Sequence, residues 1–139
     1  LASRRGEMRI VDDQVGAPTW AHAIAAETVA ILRDREHAKA STGVYHLTAL
    51  GSVTRYDYAQ RIIELANDLH GTRVVLVLAR LTTRDYAARA ARPLNSTLDT
   101  AKVRRTFGVE LDDWETQLSA CMSALKPRDG HIANEIITT

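Results

Sequence analysis

Fifteen of the eighteen basic side chains in this 139-residue sequence are arginine, and only Lys39, Lys102 and Lys126 are lysine. A guanidinium offers a planar fork of donors that matches two oxygens of a carboxylate or phosphate, so each arginine is a candidate anion ligand. Coding bias accounts for the ratio as a whole, which leaves position to decide. Arg84, Arg89 and Arg92 gather just ahead of Pro93, where the proline keeps its predecessor extended and out of helix. Other chemistry is excluded by spacing. The seven glycines, at 6, 16, 43, 51, 71, 108 and 130, are too scattered to form the turn that lets backbone approach a dinucleotide pyrophosphate. The positions four after Tyr45, Tyr56, Tyr58 and Tyr86 hold Ala49, Gln60, Ile62 and Ala90, so no tyrosine has the lysine partner that would help it donate a proton. Neither Gly-x-Ser-x-Gly nor His-Glu-x-x-His occurs. The five histidines stand apart, and His46 reads as a hydrogen-bonded structural residue of a strand, since lone imidazoles cannot build a metal site. Cys121, the one cysteine, reads as a core thiol and excludes an intramolecular disulfide. Motif chemistry alone assigns no catalytic, cofactor-binding or metal-ligating residue.

The elements that would position these groups follow from periodicity. Residues 7–12 read as a short strand running into the turn Gln14-Val15-Gly16-Ala17-Pro18, with Gly16 able to supply a positive φ. Thr19 stands where an N-cap belongs, ahead of a helix from Trp20 to Arg35 with Ile24, Thr28, Ile31 and Leu32 on one stripe. Residues 36–42 are polar and read as a loop, and Val44–Leu47 as a strand. Thr54 with Asp57 predicts a capped helix start, followed by Tyr58, Ile62, Leu65 and Leu69 on one face and Gly71 as C-cap. The continuous apolar run Arg73–Ala79 predicts a strand covered on both faces, as in a parallel sheet. Residues 82–95 lose periodicity. A short helix from Thr100 stops at Gly108, and Asp112 or Asp113 caps a last helix carrying Trp114, Leu118, Cys121, Met122 and Leu125. The predicted class is α/β, with few parallel strands and about four helices.

Composition agrees with one ordinary domain. Hydrophobic residues make up 45% and charged residues 25% of 139, typical of a globular chain that can bury a core without a metal or disulfide. A formal charge of +1 gives no electrostatic reason to propose nucleic acid or an anionic membrane as partner. No stretch reaches the roughly 20 apolar residues of a membrane span, and Leu1 to Ile10 lacks the hydrophobic core of a signal peptide. Cytoplasm is the expected compartment. Residues 1–125 read as the folded portion and 126–139 as a mobile tail. The abrupt start, without methionine, suggests a piece of something larger.

Three segments in order carry a family signature. They are Val11-Asp12-Asp13-Gln14-Val15-Gly16-Ala17-Pro18-Thr19, then Gly43-Val44-Tyr45-His46-Leu47 with Tyr56-Asp57-Tyr58-Ala59, then Arg92-Pro93-Leu94-Asn95-Ser96-Thr97-Leu98-Asp99 with Lys102. Over residues 8–125 this resembles the C-terminal half of the dTDP-4-dehydrorhamnose reductases, extended short-chain dehydrogenase/reductases. The resemblance implies the substrate-binding portion of a Rossmann-type enzyme. It further implies NADPH-dependent reduction of the 4-keto group of dTDP-4-dehydro-6-deoxy-L-mannose to give dTDP-L-rhamnose. The family's cofactor loop and catalytic Ser/Thr, Tyr and Lys lie in its N-terminal half, which these residues do not include. The partners implied are a dTDP-sugar and that N-terminal Rossmann half, with a homo-oligomer as a further option.

Within these motifs the resemblance offers Arg92, Asn95 and Gln14 as substrate-binding residues. Arg92 can grip the substrate diphosphate, or equally clamp its own loop through a salt bridge or a carbonyl. Asn95 can bond sugar or nucleotide, or make ordinary turn contacts with its neighbours. Gln14 and Thr19 flank the bend that would face the substrate cleft, and Trp20 lines that cleft or packs inside. A different class stays open: a non-catalytic sugar-nucleotide-binding or regulatory subunit, resembling the regulatory subunit of methionine adenosyltransferase. A third option keeps the enzyme and changes the deoxysugar.

Overall fold

The computed structural model describes residues 7–70, 77–86 and 90–125. Gly71, the first half of the predicted strand at 73–79, Arg89 and the tail after Leu125 lie outside the described residues. The elements run β1 (Glu7–Val11), β2 (Val15–Gly16), α1 (Ala21–Arg33), α2 (Arg35–Ala40), β3 (Val53–Thr54), α3 (Arg55–His70), β4 (Val77–Leu81), α4 (Ala101–Phe107) and α5 (Trp114–Ala124). Strand β1 pairs in parallel with β4, Glu7 opposite Val77 through Val11 opposite Leu81. Strand β2 pairs antiparallel with β3. The class is α/β with a parallel pair, as expected, and five helices are found among the described residues where about four were predicted.

Helix α3 packs on the parallel pair and is tied to α5 on its other side. The Tyr58 ring meets Trp114 edge-on at 5.9 Å, and Arg61 Nε lies 2.9 Å from Glu115 Oε1. Val11, Leu65, Leu81, Val103, Val109, Leu111 and Leu118 form the buried apolar core. Cys121 is only half-buried at its edge.

Local caps behave as the sequence predicts. The Thr54 hydroxyl accepts from Asp57 N at 3.0 Å and donates to the Asp57 carboxylate at 2.7 Å. Asp113 opens α5 by accepting from the N–H groups of Glu115 and Thr116. Gly108 closes α4 in the left-handed region at φ 67, which glycine adopts without strain. Thr54→Ala is expected to lower stability by about 0.5–2 kcal/mol, with Thr54→Ser restoring most of it. Thermal melts of the three proteins check this.

Predictions that ignored distant partners fail. Thr19 does not cap α1: its hydroxyl donates to Ala17 O and accepts from the buried Ala49 N–H at 3.0 Å. Trp20 takes the N-cap position without a side-chain cap, and its own N–H donates to Gln117 Oε1 at 2.9 Å. The predicted helix to Arg35 ends at Arg33, and the predicted loop at 36–42 is largely α2. Asp34 breaks α1 and caps α2, accepting from His37 N at 3.0 Å; a short polar helix leaves no apolar stripe to read. Val44–Leu47 is not a strand. The Val44 carbonyl accepts from Lys102 Nζ at 2.8 Å, Tyr45 packs on Phe107, and His46 is an exposed coil residue.

Strand β4 runs on past Ala79 to Leu81, because Leu81 is the residue opposite Val11. It is not covered on both faces here. Val77 is 59% exposed, Arg80 is exposed, and only Leu81 is buried. The apolar stripe of α1 is likewise left open, with no residue buried and Leu32 58% exposed. Exposed apolar side chains thus remain on both elements, Val29 and Leu32 on α1 and Val77 on β4.

Candidate functional site

The turn after β1 is built by one carboxylate. Asp13 accepts from Thr83 N at 2.9 Å and from the Thr83 hydroxyl at 2.6 Å, tying the turn to the end of β4. The Thr83 hydroxyl, and then its N–H, hold the Asp13 carboxyl below the ordinary value of 3.8. Next to it Gln14 is buried, with its amide donating to Thr83 Oγ1 at 3.0 Å. The Gln14 carbonyl accepts from Arg55 N at 3.1 Å, which brings the start of α3 against the turn.

A third segment closes on the other side. Val15 bridges Asn95, with Val15 N donating to Leu94 O at 2.7 Å and Ser96 N donating to Val15 O at 2.9 Å. Gly16 is required by this approach. A Cβ there would stand 2.9 Å from Ser96 Oγ, closer than such atoms pack. Gly16 does not adopt the positive φ anticipated for it; it is a strand glycine needed for its missing side chain.

Between these three segments lies an open cleft of about 540 Å³, lined by Gln14–Pro18, Val53, Thr54, Arg55, Tyr58, Arg92, Pro93 and Ser96. That volume is within the range of small-molecule sites, roughly 300–1,000 Å³. Two guanidinium side chains line the cleft and no carboxylate does. Arg61 pairs with Glu64 and Glu115, Arg80 with Asp12 and Asp57, and Arg104 with Glu110, whereas Arg9, Arg33, Arg84 and Arg105 lie away from the cleft lining. Among the described residues, no hydrogen bond or ion pair engages the side chain of Arg55 or Arg92.

The residues singled out from sequence fall in different places. Arg92 lines the cleft, and the salt bridge or carbonyl clamp that would make it scaffold is not found among the described residues. Gln14 lines it too, with its amide nitrogen engaged by Thr83. Asn95 is not a lining residue; its side-chain oxygen accepts from Thr97 N and Thr97 Oγ1 at 2.9 and 2.8 Å, an ordinary turn contact. Trp20 is not a lining residue either and stacks on His22 at 4.7 Å.

Arg55 and Tyr58 were missed as cleft residues because their spacing reads only as helix. Tyr58 is pushed above its ordinary value of 10.0 by burial and then by nearby Cys121, so it stays neutral near pH 7. The cleft can thus bind an anion through two guanidiniums and present hydroxyls and apolar walls to the rest of a ligand.

Related proteins carry the same arrangement of elements. A dTDP-4-dehydrorhamnose reductase from Clostridium acetobutylicum superposes with a TM-score of 0.75 at 24% identity, over 89% of this chain and 40% of that one. One from Bacillus anthracis, solved with NADP, gives 0.74 at 24% identity, over 86% and 39%. In sequence, the dTDP-4-dehydrorhamnose reductase of Burkholderia thailandensis is 36% identical over 131 residues, spanning 90% of this chain and 44% of that protein. That of Escherichia coli K12 is 34% identical over 125 residues, spanning 90% and 42%. The chain therefore spans less than half the length of these relatives. The family model for the RmlD substrate binding domain matches residues 1–126. A C-terminal match of this extent to the reductases, on the same fold, makes the chain a member of the RmlD substrate binding domain family.

Proposed function

We propose that this chain is the substrate-binding portion of an NADPH-dependent dTDP-4-dehydrorhamnose reductase. The cleft beside Gly16 holds the dTDP-sugar whose 4-keto group is reduced, while the cofactor and proton donor are supplied by residues outside these 139. The observation that carries this is Arg92, a guanidinium without a partner among the described residues, on the wall of a cleft without carboxylates. Its neighbour Pro93 keeps Arg92 extended, so the side chain is presented from a restricted backbone. Gln14 holds the floor of the site in place, and Asn95 shapes the loop that carries Arg92.

The residues present do not fit the nicotinamide cofactor itself. A dinucleotide pyrophosphate needs bare N–H groups at a helix N-terminus beside closely spaced glycines. Three of the five described helices instead start against an aspartate carboxylate that accepts a first-turn N–H: Asp34 at α2, Asp99 at α4 and Asp113 at α5. A carboxylate there repels a phosphate and occupies its donors. The open parallel pair and the exposed Val77 and Leu32 suit docking of an N-terminal Rossmann half, with a second copy of this chain as competitor.

The test is an NMR titration of the 139-residue chain with dTDP-L-rhamnose, which reads even millimolar binding. Saturable shifts at Gln14, Gly16, Arg55, Tyr58, Arg92 and Ser96 are expected. Saturating ligand that moves none of them overturns the assignment.

A further inference from the structure

We propose that Arg55 is a second anion-binding residue of the cleft, so that a diphosphate is held between Arg55 and Arg92, one guanidinium to each phosphoryl group. This rests on the cleft being the sugar-nucleotide site and names its diphosphate end. Arg55 is exposed at the first position of α3, and its backbone is fixed by the bond from its N–H to the Gln14 carbonyl at 3.1 Å. The backbone thus anchors the residue on the cleft wall while the side chain has no partner among the described residues.

Its neighbours explain why no internal partner competes. Asp57, two residues on, is held by the Thr54 hydroxyl and lies 3.5 Å from Arg80 Nη2. Asp13, on the same turn as Gln14, is occupied by Thr83. The nearby carboxylates are thereby engaged elsewhere, leaving two positive charges on the cleft wall. The diphosphate of a nucleotide sugar, esterified at both ends, carries two negative charges at neutral pH, which two guanidiniums neutralise. Two planar forks also match four phosphoryl oxygens bidentately, where one fork satisfies only one phosphoryl group.

The experiment measures dissociation constants of inorganic pyrophosphate and of dTDP-L-rhamnose by NMR titration of the full 139-residue chain. Wild type, Arg55→Ala, Arg55→Lys and Arg92→Ala are compared, with melting temperatures in parallel. Each alanine variant is expected to weaken both ligands about tenfold or more. Arg55→Lys should recover part of the loss, because it restores the charge without the fork. Weakening of both ligands by Arg55→Ala at unchanged melting temperature supports the proposal. If Arg55→Ala leaves both affinities within about twofold while Arg92→Ala weakens them, Arg55 is a bystander and the substrate site survives without it. If pyrophosphate binds and is lost in Arg55→Ala while dTDP-L-rhamnose does not bind wild type, the anion site stands and the sugar-nucleotide assignment falls. Binding of neither ligand to wild type overturns both.

Discussion

Arg92→Ala is expected to weaken binding of dTDP-L-rhamnose by about 1.5–3 kcal/mol, roughly 10- to 150-fold. The magnitude is that of one charge-assisted hydrogen-bonding group removed from an anionic ligand. The change should register in binding and hardly in stability. Arg92 is exposed and makes no ion pair or hydrogen bond among the described residues, so its removal leaves no buried group unsatisfied. The Val15 ladder to Leu94 and Ser96, which carries the loop, uses backbone groups and the Ser96 hydroxyl, not Arg92, and survives the substitution. Arg92→Lys should fall between, since an ammonium keeps the charge and loses the bidentate geometry. Titration of the three proteins alongside their melting temperatures decides the matter. Unchanged affinity with an intact fold would make Arg92 scaffold and remove the diphosphate from this end of the cleft.

The chain by itself is expected to show neither NADPH binding nor reductase activity. Aspartate carboxylates cap the N-termini of α2, α4 and α5, and no closely spaced glycines precede any described helix. Proton donation fails for a separate reason. Tyr58, the tyrosine in the cleft, is made a weaker acid by burial, and Ile62 stands four residues on where a lysine would assist it. The lysine beside another tyrosine, Lys102, lies 4.2 Å over the face of the Tyr45 ring, where it cannot assist the hydroxyl. Mixing the chain with a separately produced N-terminal half of a related reductase should yield measurable ketoreductase activity, because the open β1–β4 pair and the apolar face of α1 would then be covered. Calorimetric titration of the lone chain with NADPH checks the first part, and a saturable micromolar signal there would refute it. Absence of activity from a folded, associated mixture would refute the second.

Family membership was legible in the sequence because three motifs, at 11–19, 43–59 and 92–102, stand in a fixed order. The helix boundaries at Thr54, Gly108 and Asp113 were legible for a different reason. A cap is a contact among residues within about one helical turn, so the sequence contains both partners side by side. A strand of a parallel sheet could be anticipated from the apolar run at 73–79, but its overlap with β4 is only Val77–Ala79 and its partner β1 was set by tertiary structure.

Tertiary structure decided the rest wherever a long-range partner outbid a local one. The Thr19 hydroxyl, an available cap, is taken by the Ala49 N–H thirty residues away. The Val44 carbonyl, in a strand-like segment, is taken by Lys102 fifty-eight residues away. The cleft itself is of this kind. Its walls come from residues 14–18, 53–58 and 92–96, and only the bonds of Val15 to Leu94 and of Arg55 to Gln14 set them face to face. Sequence alone therefore named Arg92 and the turn at Gln14, both carried by motif. It could not name Arg55, because an exposed arginine in the first turn of a helix has no signature until its neighbours' carboxylates are seen to be engaged elsewhere.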